Sequence, residues 1–135
     1  MLFRSQALLP RLHSDLLGLL LACLDGTLKE AQVAWRPDAC VTVVLASGGY
    51  PGDYETGFPI EGLDEAGKSD RVAVFHAGTA RQDGRVVTAG GRVLAVSALG
   101  RDLADARARA YGAASLISFE GAHRREDVAL EAPGG

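Results

Sequence analysis

Arg92 is the side chain best suited to hold a charged ligand, because it directly follows a glycine pair, Gly90 and Gly91, at the start of a predicted strand. Paired glycines form a flexible turn, and the planar guanidinium presents parallel N–H donors that match the oxygens of a phosphate. The pattern predicts that Gly90, Gly91 and Arg92 bind a phosphate group, such as that of a phosphorylated sugar. The alternative is a strand-end arginine that pairs with a nearby aspartate or glutamate.

The glycine-rich segment 47–53, Ser-Gly-Gly-Tyr-Pro-Gly-Asp, is a second candidate for ligand binding. It follows a predicted buried strand, and the backbone N–H groups of such a turn can form a small concavity that binds anions. Tyr50 and Pro51 make the segment stiffer than a linker. The alternative is an ordinary turn. The residues assigned to ligand binding are Ser47, Gly48, Gly49 and Tyr50.

Two polar residues near the end of a predicted core strand, His76 and Thr79, complete the set of binding candidates. The side chain of His76 can turn toward a cleft, although a hydrogen-bonded structural histidine fits the pattern equally well. Thr79 either donates to a phosphate or caps the adjacent turn. No catalytic nucleophile is predicted, because no serine lies in a G-x-S-x-G setting and neither cysteine has an evident activating partner.

Residues 62–69, Gly-Leu-Asp-Glu-Ala-Gly-Lys-Ser, match the phosphate-binding pattern G-x-x-x-x-G-K-[ST] literally. A working P-loop follows a buried strand and opens a helix whose N–H groups face the phosphates. Here Pro-Ile-Glu at residues 59–61 precedes the motif and a strand-like run at 72–75 follows it. Asp64 and Glu65 would also repel a polyanion. The motif is therefore interpreted as an ordinary solvated loop.

Charge and composition exclude several classes of protein. The 135 residues carry a net charge of −3 with a pI near 5.5, whereas nucleic-acid-binding proteins usually need a basic face. The longest apolar stretch, residues 16–24, is far shorter than the ~20 residues that span a bilayer. Cys23, Cys40 and the three histidines lack metal-ligand spacing, so the cysteines are expected to be buried small hydrophobic residues without a disulfide. A cytoplasmic globular protein is expected.

The elements that must position the candidate residues are two principal helices and about five short strands, an α+β fold. Asp15 suits the N-cap of a first helix at 15–24, whose leucines on nearly every side predict burial on more than one face. Asp83-Gly84 and Gly90-Gly91 predict sharp reversals and therefore a mostly antiparallel sheet. The β-branched runs predict strands at 32–35, 39–46, 72–76, 85–88 and 92–99.

A second helix is predicted at 103–117, with Asp102 as its N-cap. Its small side chains allow a close approach to the sheet. The predicted inward stripe consists of Leu103, Ala106, Ala110, Ala113, Ala114 and Ile117. The C-terminal residues have too little apolar content to be ordered by packing.

Three segments, in this order, resemble the C-terminal domain of phosphoribosylamine–glycine ligase, an ATP-grasp enzyme. They are residues 46–54 (ASGGYPGDY) with Gly57, residues 74–79 (VFHAGT) and residues 90–96 (GGRVLAV). Shorter matches flank them, so the resemblance covers about residues 9–128. A lone Gly-Gly-Arg would mean little, but the ordered set with similar spacing is specific.

The resemblance implies the reaction of that family. ATP, assisted by Mg²⁺, activates glycine as glycyl phosphate, and the amine of 5-phosphoribosylamine attacks it to give glycinamide ribonucleotide in purine synthesis. The resemblance further implies that the C-terminal domain closes over the substrate side of the cleft, with Arg92 near the substrate phosphate. Nucleotide, metal and glycine are then held largely by the preceding domains. ATP and Mg²⁺ are therefore expected for the full-length enzyme and not for this chain alone.

The resemblance also implies domain boundaries within the chain. Residues 1–30 are expected to belong to the end of the ATP-grasp region, 31–129 to form the ligase C-terminal domain, and 130–135 to be a disordered tail. Family members carry an Asn-x-Arg-Phe-Gly-Asp-Pro-Glu-type segment just before the first match, whereas this chain begins Met-Leu-Phe-Arg-Ser. The isolated chain is therefore expected to be inactive without the N-terminal and ATP-grasp domains as partners.

Two other hypotheses stay open from the sequence. The chain is either a stand-alone module that binds a phosphorylated ribose through the Gly-Gly-Arg turn without catalysis, or a truncated product without activity. In the second case it is expected to self-associate through its leucine-rich first helix, whose apolar surface would otherwise pack against an absent domain.

Overall fold

The computed structural model describes residues 5–130. Its elements in chain order are α1 (Ser5–Leu8), α2 (Leu16–Leu24), β1 (Ala39–Ala46), α3 (Leu63–Gly67), β2 (Val72–His76), β3 (Thr79–Gln82), β4 (Arg85–Thr88), β5 (Arg92–Gly100) and α4 (Leu103–Ala114). Single 3-10 turns lie at Leu9–Arg11 and Leu28–Glu30. The predicted α+β class is confirmed. The prediction of a disordered tail falls mostly on residues 131–135, which lie outside the described residues.

The core is a three-stranded antiparallel sheet in the order β1-β5-β2, with β5 in the middle. Because β5 has a partner strand on both edges, it is buried along most of its length. Val96 at its centre lies opposite Val43 of β1 and Val74 of β2, so that β-branched side chains meet across all three strands. Burying each such side chain stabilises the fold by about 1.5–3 kcal/mol relative to exposure. The best-packed strand of the fold therefore carries Arg92 at its first position.

Helix α4 covers the sheet with a stripe of small residues, as predicted. Asp102 caps the helix, and its carboxylate accepts a hydrogen bond from the Asp105 N–H at 2.8 Å. A Cβ at Gly100, the last residue of β5, would lie 2.7 Å from Cα of Ala106, so glycine is what lets the helix approach the strand. The helix ends at residue 114, three residues before the predicted end. The buried residues of α4 are Ala106, Ala110, Ala113 and Ala114.

Strands β3 and β4 form a separate two-stranded hairpin, so the five strands divide into two sheets. The predicted reversal at Asp83 and Gly84 is confirmed, and both residues have positive φ angles, 51° and 78°. The strand that precedes this turn is β3, which sequence analysis missed because its short polar run has no apolar alternation. Residues 72–76, expected to precede the turn, pair with β5 instead.

The predicted strand at residues 32–35 is wrong. This segment lies beside residues 11–14 and makes one isolated bridge, between Leu12 and Trp35. The N–H of Ala34 donates to the hydroxyl of Ser14 at 2.8 Å, and the Ala34 carbonyl accepts from the N–H of His13 at 3.0 Å. A side-chain oxygen therefore takes the place of a ladder bond, and no strand forms.

Helix α2 forms where predicted, but its expected burial is wrong. The Asp15 carboxylate caps it by accepting from the Gly18 N–H at 2.6 Å, yet none of its residues is buried. Cys23 is exposed rather than buried, Cys40 is half-buried, and both are free thiols, as expected. The reason is geometric, since the core forms around β5 and residues 5–130 place no layer on the outer side of α2. Nowhere in those residues is a helix long and apolar enough to cross a membrane.

The P-loop-like motif at 62–69 does not adopt P-loop geometry. Gly62, in the left-handed region with a φ of +78°, precedes the five-residue helix α3, and Lys68 is the C-cap of that helix. In a P-loop the Gly-Lys dipeptide opens a helix, whereas here it closes one. The rejection of the motif agrees with this geometry, although part of the expected loop is helical.

Candidate functional site

The predicted glycine segments come together at the start of β5. Ser47 follows β1, and its N–H donates to the carbonyl of Gly91 at 2.8 Å. The hydroxyl of Ser47 donates to the carbonyl of Gly90 at 2.9 Å, and the residue is 2% exposed. A buried serine thus holds both carbonyls of the Gly-Gly turn, so this turn is fixed in place rather than flexible as its composition alone suggests.

Gly78 holds the other side of the turn. Its N–H donates to the carbonyl of Arg92 at 2.8 Å, and its own carbonyl accepts from Ala89 at 2.8 Å. A Cβ at Gly78 would lie 2.7 Å from both the Cα of Gly90 and the carbonyl oxygen of Arg92. Only glycine permits this approach between two backbone segments. We call Ser47, Gly78, Gly90 and Gly91 the glycine cluster.

Two tyrosines cover the glycine cluster. The ring of Tyr50 lies directly on Gly91, where a Cβ would lie 2.6 Å from Cε2 of that ring and 3.0 Å from Cε1 of Tyr54. The two rings meet edge to face, with centroids 6.1 Å apart and an angle of 61° between their planes. Gly49 turns the chain with a φ of +94°, which carries Tyr50 back over the turn. The stiffness expected for residues 47–53 thus has a physical basis in ring packing.

Arg92 lies at the edge of this arrangement, with an exposed side chain next to the buried Gly91. The pairing register between β1 and β5 shifts between Leu45 and Ala46, and Ala46 is opposite Arg92. Such an irregularity interrupts the alternation of side chains and re-aims those beside it. The sequence carried no sign of this shift, which falls at the first residue of β5.

His76 and Thr79 contact each other on the far side of the Gly78 turn. Nδ1 of His76 and the hydroxyl oxygen of Thr79 are 3.0 Å apart, and which atom donates depends on the histidine tautomer. His76 is exposed and lies opposite Leu94 in the sheet. The pair therefore borders the same turn as Arg92, but each residue already has a hydrogen-bond partner within the chain.

A cleft of about 390 Å³ opens beside the Gly48 end of the cluster. Three of its side chains are carboxylates, which repel a phosphate group. This cleft is therefore poorly suited to hold a phosphate group. Most of its lining carries no functional motif in the sequence, and it consists of Gly48, Asp53, Tyr54, Glu55, Phe58, Glu120 and Gly121.

The half-buried Cys40 is not activated as a nucleophile. Burial raises the pKa of its thiol, and the nearby Arg11 guanidinium and the Thr42 hydroxyl only partly offset that effect. The thiol is therefore neutral near pH 7 and weakly reactive. Among residues 5–130, no three His, Cys, Asp or Glu side chains are grouped so that they could hold a metal ion.

Comparison with known proteins places this geometry in a family. The family described as "Phosphoribosylglycinamide synthetase, C domain" matches residues 40–131. A phosphoribosylamine–glycine ligase from Agrobacterium fabrum is 50% identical over 127 residues, covering 94% of this chain and 30% of the relative. One from Streptomyces coelicolor is 47% identical over 133 residues, covering 96% and 32%. The chain therefore spans about a third of the length of these relatives.

The crystal structure of phosphoribosylamine–glycine ligase from Thermotoga maritima is also similar. It matches with a TM-score of 0.65 and 36% identity over 82% of this chain and 27% of that one. The family match contains β1 from Cys40 onward, β2 to β5, α4 and all the residues of the glycine cluster. It also covers well over half of the chain, and the chain therefore belongs to the phosphoribosylglycinamide synthetase C-domain family.

Proposed function

We propose that this chain acts as the C-terminal part of phosphoribosylamine–glycine ligase and forms the wall of the cleft that faces the phosphoribosyl substrate. The full enzyme joins glycine and 5-phosphoribosylamine with consumption of ATP, giving glycinamide ribonucleotide for purine synthesis. The sequence identity to the named ligases supports this assignment. Because the chain spans about a third of their length, we propose that it contributes to this activity without performing it alone.

The convergence of the glycine segments around the start of β5 is the observation that carries the proposal. Ser47, Gly78 and the Tyr50 ring fix the Gly90-Gly91 turn from three sides. A turn fixed in this way holds the backbone of Arg92 in one position before any ligand arrives, which lowers the entropy cost of binding. The guanidinium then supplies paired donors to a phosphate, with Ser47, Gly48, Gly49, Tyr50, His76 and Thr79 assigned to the surrounding substrate wall.

ATP and Mg²⁺ are assigned in this proposal to the rest of the enzyme. The described part of the chain does not fit either group, since its acidic residues form no metal-binding cluster and its P-loop-like motif closes a helix. In the same proposal residues 1–30 belong to the ATP-grasp region, residues 31–129 form the C-terminal domain, and the enzyme acts in the cytoplasm.

A chimera provides the test. This chain replaces the matching C-terminal part of the Agrobacterium fabrum ligase, and ADP release is measured as a function of glycine and phosphoribosylamine. We expect activity that depends on both substrates. In the chimera Arg92→Ala should raise the KM for phosphoribosylamine about 10- to 100-fold, the effect of losing a charge-assisted hydrogen bond.

Arg81→Ala is the matched control, because Arg81 is an exposed arginine of the β3–β4 hairpin that is not assigned to the substrate wall. It should leave both kinetic constants unchanged. A folded chimera with no activity would contradict the proposed function. An active chimera in which Arg92→Ala behaves like Arg81→Ala would instead contradict only the role of Arg92.

The second candidate function is a stand-alone module that binds a phosphorylated ribose without catalysis. It is favoured by one observation, that Ser47, Gly78 and the Tyr50 ring hold the Gly90-Gly91 turn in one conformation. Calorimetry of the isolated chain with ribose 5-phosphate tests it. Binding that is lost in Arg92→Ala but kept in Arg81→Ala supports the module, and an absence of heat up to millimolar ligand rejects it.

A further inference from the structure

Tyr54 is an aromatic residue that lies at the boundary between the glycine cluster and the neighbouring cleft. On one side, Cε1 of its ring would lie 3.0 Å from a Cβ at Gly91. On the other side, Tyr54 lines the cleft of about 390 Å³, together with Gly48 and Phe58. Because Gly91 directly precedes Arg92 in the chain, a single ring borders both the turn that carries the guanidinium and the cleft.

The ring of Tyr54 is held in place by contacts within the chain. It meets the ring of Tyr50 edge to face, with centroids 6.1 Å apart, and it lies against the Gly91 backbone. Tyr54 is nevertheless 42% exposed, so a large part of the residue is accessible to a ligand. A tyrosine has only two side-chain torsions, and a ring already fixed by packing binds a ligand at little further cost in conformational entropy.

The phenol hydroxyl of Tyr54 makes no hydrogen bond within residues 5–130. It differs in this respect from the hydroxyl of Tyr111, which donates to the carbonyl of Arg125 at 2.6 Å and accepts from the N–H of Val128 at 3.2 Å. A phenol hydroxyl can both donate and accept a hydrogen bond. Tyr54 therefore offers a bound molecule an aromatic face and a hydroxyl.

The chemistry of the cleft suits a neutral group that carries hydroxyls. Asp53, Glu55 and Glu120 also line it, and none of the three forms an ion pair among the described residues. Carboxylate oxygens accept hydrogen bonds from sugar hydroxyls, as in dinucleotide-binding folds, but they repel a phosphate. A volume of about 390 Å³ lies at the lower end of the ~300–1,000 Å³ range of small-molecule sites, which suits a monosaccharide ring.

We propose that Tyr54 recognises the sugar of the phosphoribosyl substrate. With the phosphate held by Arg92, the ribose lies along the Tyr54 ring at the mouth of the cleft, and one ribose hydroxyl forms a hydrogen bond with the phenol hydroxyl. The ring and the cleft carboxylates then contact the apolar and the polar sides of the sugar, respectively. This inference rests on the proposed function and deepens it, because it assigns the sugar to a residue that the proposed substrate wall does not include.

The chimera with the Agrobacterium fabrum ligase tests this role through Tyr54→Phe. Phenylalanine keeps the ring and its contacts with Tyr50 and Gly91, so the Tm should be unchanged. Loss of one neutral hydrogen bond should raise the KM for phosphoribosylamine about 3- to 10-fold and leave the KM values for ATP and glycine unchanged. Tyr54→Ala, which also removes the ring, should raise the KM for phosphoribosylamine further.

Tyr111→Phe is the matched control for the loss of a phenol hydroxyl. The hydroxyl of Tyr111 bonds within the chain, so its removal should leave the KM for phosphoribosylamine at the value of the parent chimera.

Inhibition by two phosphate compounds separates a contact with the sugar from an effect on the Gly-Gly turn. Ribose 5-phosphate carries the sugar and methyl phosphate does not, while both can bind the Arg92 guanidinium through their phosphate. Tyr54→Phe should raise the inhibition constant of ribose 5-phosphate against phosphoribosylamine about 3- to 10-fold and leave that of methyl phosphate unchanged. Arg92→Ala should raise both inhibition constants.

Two results with an active chimera would overturn the inference. One is a Tyr54→Phe variant whose KM and inhibition constants equal those of the parent chimera. The other is a Tyr54→Phe variant that binds methyl phosphate as weakly, relative to the parent, as it binds ribose 5-phosphate, because Tyr54 would then act only through the turn.

An inactive chimera contradicts the proposed function instead, and calorimetry of the whole chain with ribose 5-phosphate then decides the inference about Tyr54. Binding that Tyr54→Phe weakens supports the inference. Binding that Tyr54→Phe leaves unchanged, or an absence of heat up to millimolar ligand, rejects it.

Discussion

Replacing Gly91 by alanine should destabilise this protein through overlap with the aromatic rings that cover it, chiefly that of Tyr50. The added Cβ would overlap the ring of Tyr50, reaching 2.6 Å from Cε2, and would come within 3.0 Å of Cε1 of Tyr54. Gly91 is buried and is not among the described residues with positive φ, so alanine meets no backbone strain there and the cost is steric. Overpacking of this kind costs about 1–3 kcal/mol.

The same change tests whether the Tyr50 ring is what holds the Gly90-Gly91 turn. For a domain of this size, a loss of about 1–3 kcal/mol in the free energy of unfolding should lower Tm by roughly 3–15 °C. In a Tyr50→Ala background the ring is absent, and Gly91→Ala should cost less than about 0.5 kcal/mol. Urea denaturation of the four proteins gives the coupling energy directly.

Gly112→Ala is the control for glycine replacement itself. Gly112 lies inside α4, and a Cβ there has no heavy atom within 4 Å. Alanine should therefore stabilise the protein by about 0.5–1 kcal/mol through helix propensity. The reasoning is refuted if Gly91→Ala is as stable as the parent protein, or if it costs the same with and without the Tyr50 ring.

Three further predictions concern helix α4 and what it holds. Asp102→Ala removes the helix cap and should cost about 1 kcal/mol in urea denaturation, with an unchanged sheet signal in circular dichroism. Tyr111→Phe removes the hydroxyl that donates to the Arg125 carbonyl at 2.6 Å and accepts from the Val128 N–H at 3.2 Å, so amide exchange should rise at residues 125–128. The backbone N–H of Arg101, together with the Arg101 and Arg109 side chains, lowers the pKa of Asp105 in the folded protein. The ionised Asp105 carboxylate therefore stabilises the fold fully above its unfolded pKa of about 3.9, and this stabilisation is lost as the pH falls through the lower folded pKa. The stability difference between the parent and Asp105→Asn should shrink below that pH, and a difference that grows on acidification would contradict this.

Local signals in the sequence were sufficient for the two longer helices, α2 and α4, and for the turn at Asp83 and Gly84, although they missed the short helices α1 and α3. Asp15 and Asp102 cap α2 and α4 at the predicted positions, because a cap depends on residues three apart in the chain. Asp83-Gly84 turns the chain as predicted because positive φ is a property of those residues. The inward alanine stripe of α4 also followed from periodicity alone.

Local sequence signals did not predict the pairing between distant segments. Residues 32–35 resemble a strand in composition, yet Ser14 takes a bond that a partner strand would make. Residues 79–82 lack a strand pattern, yet the turn after them supplies β4 as a partner. In both cases the outcome depends on which backbone groups lie opposite each other, and that is set by the whole fold.

At the candidate site, too, some features follow from the sequence alone and others depend on the tertiary structure. The sequence by itself determined which residue types are present, with glycines at 48, 49, 78, 90 and 91, one arginine after the last of them, and an uncharged leucine helix. Only the tertiary structure decided that Ser47, Gly78 and Tyr50 meet at the Gly-Gly turn, and that most leucines of α2 are exposed. The physical reason is that backbone conformation follows from a few neighbouring residues, whereas contact and burial depend on segments far apart in the chain.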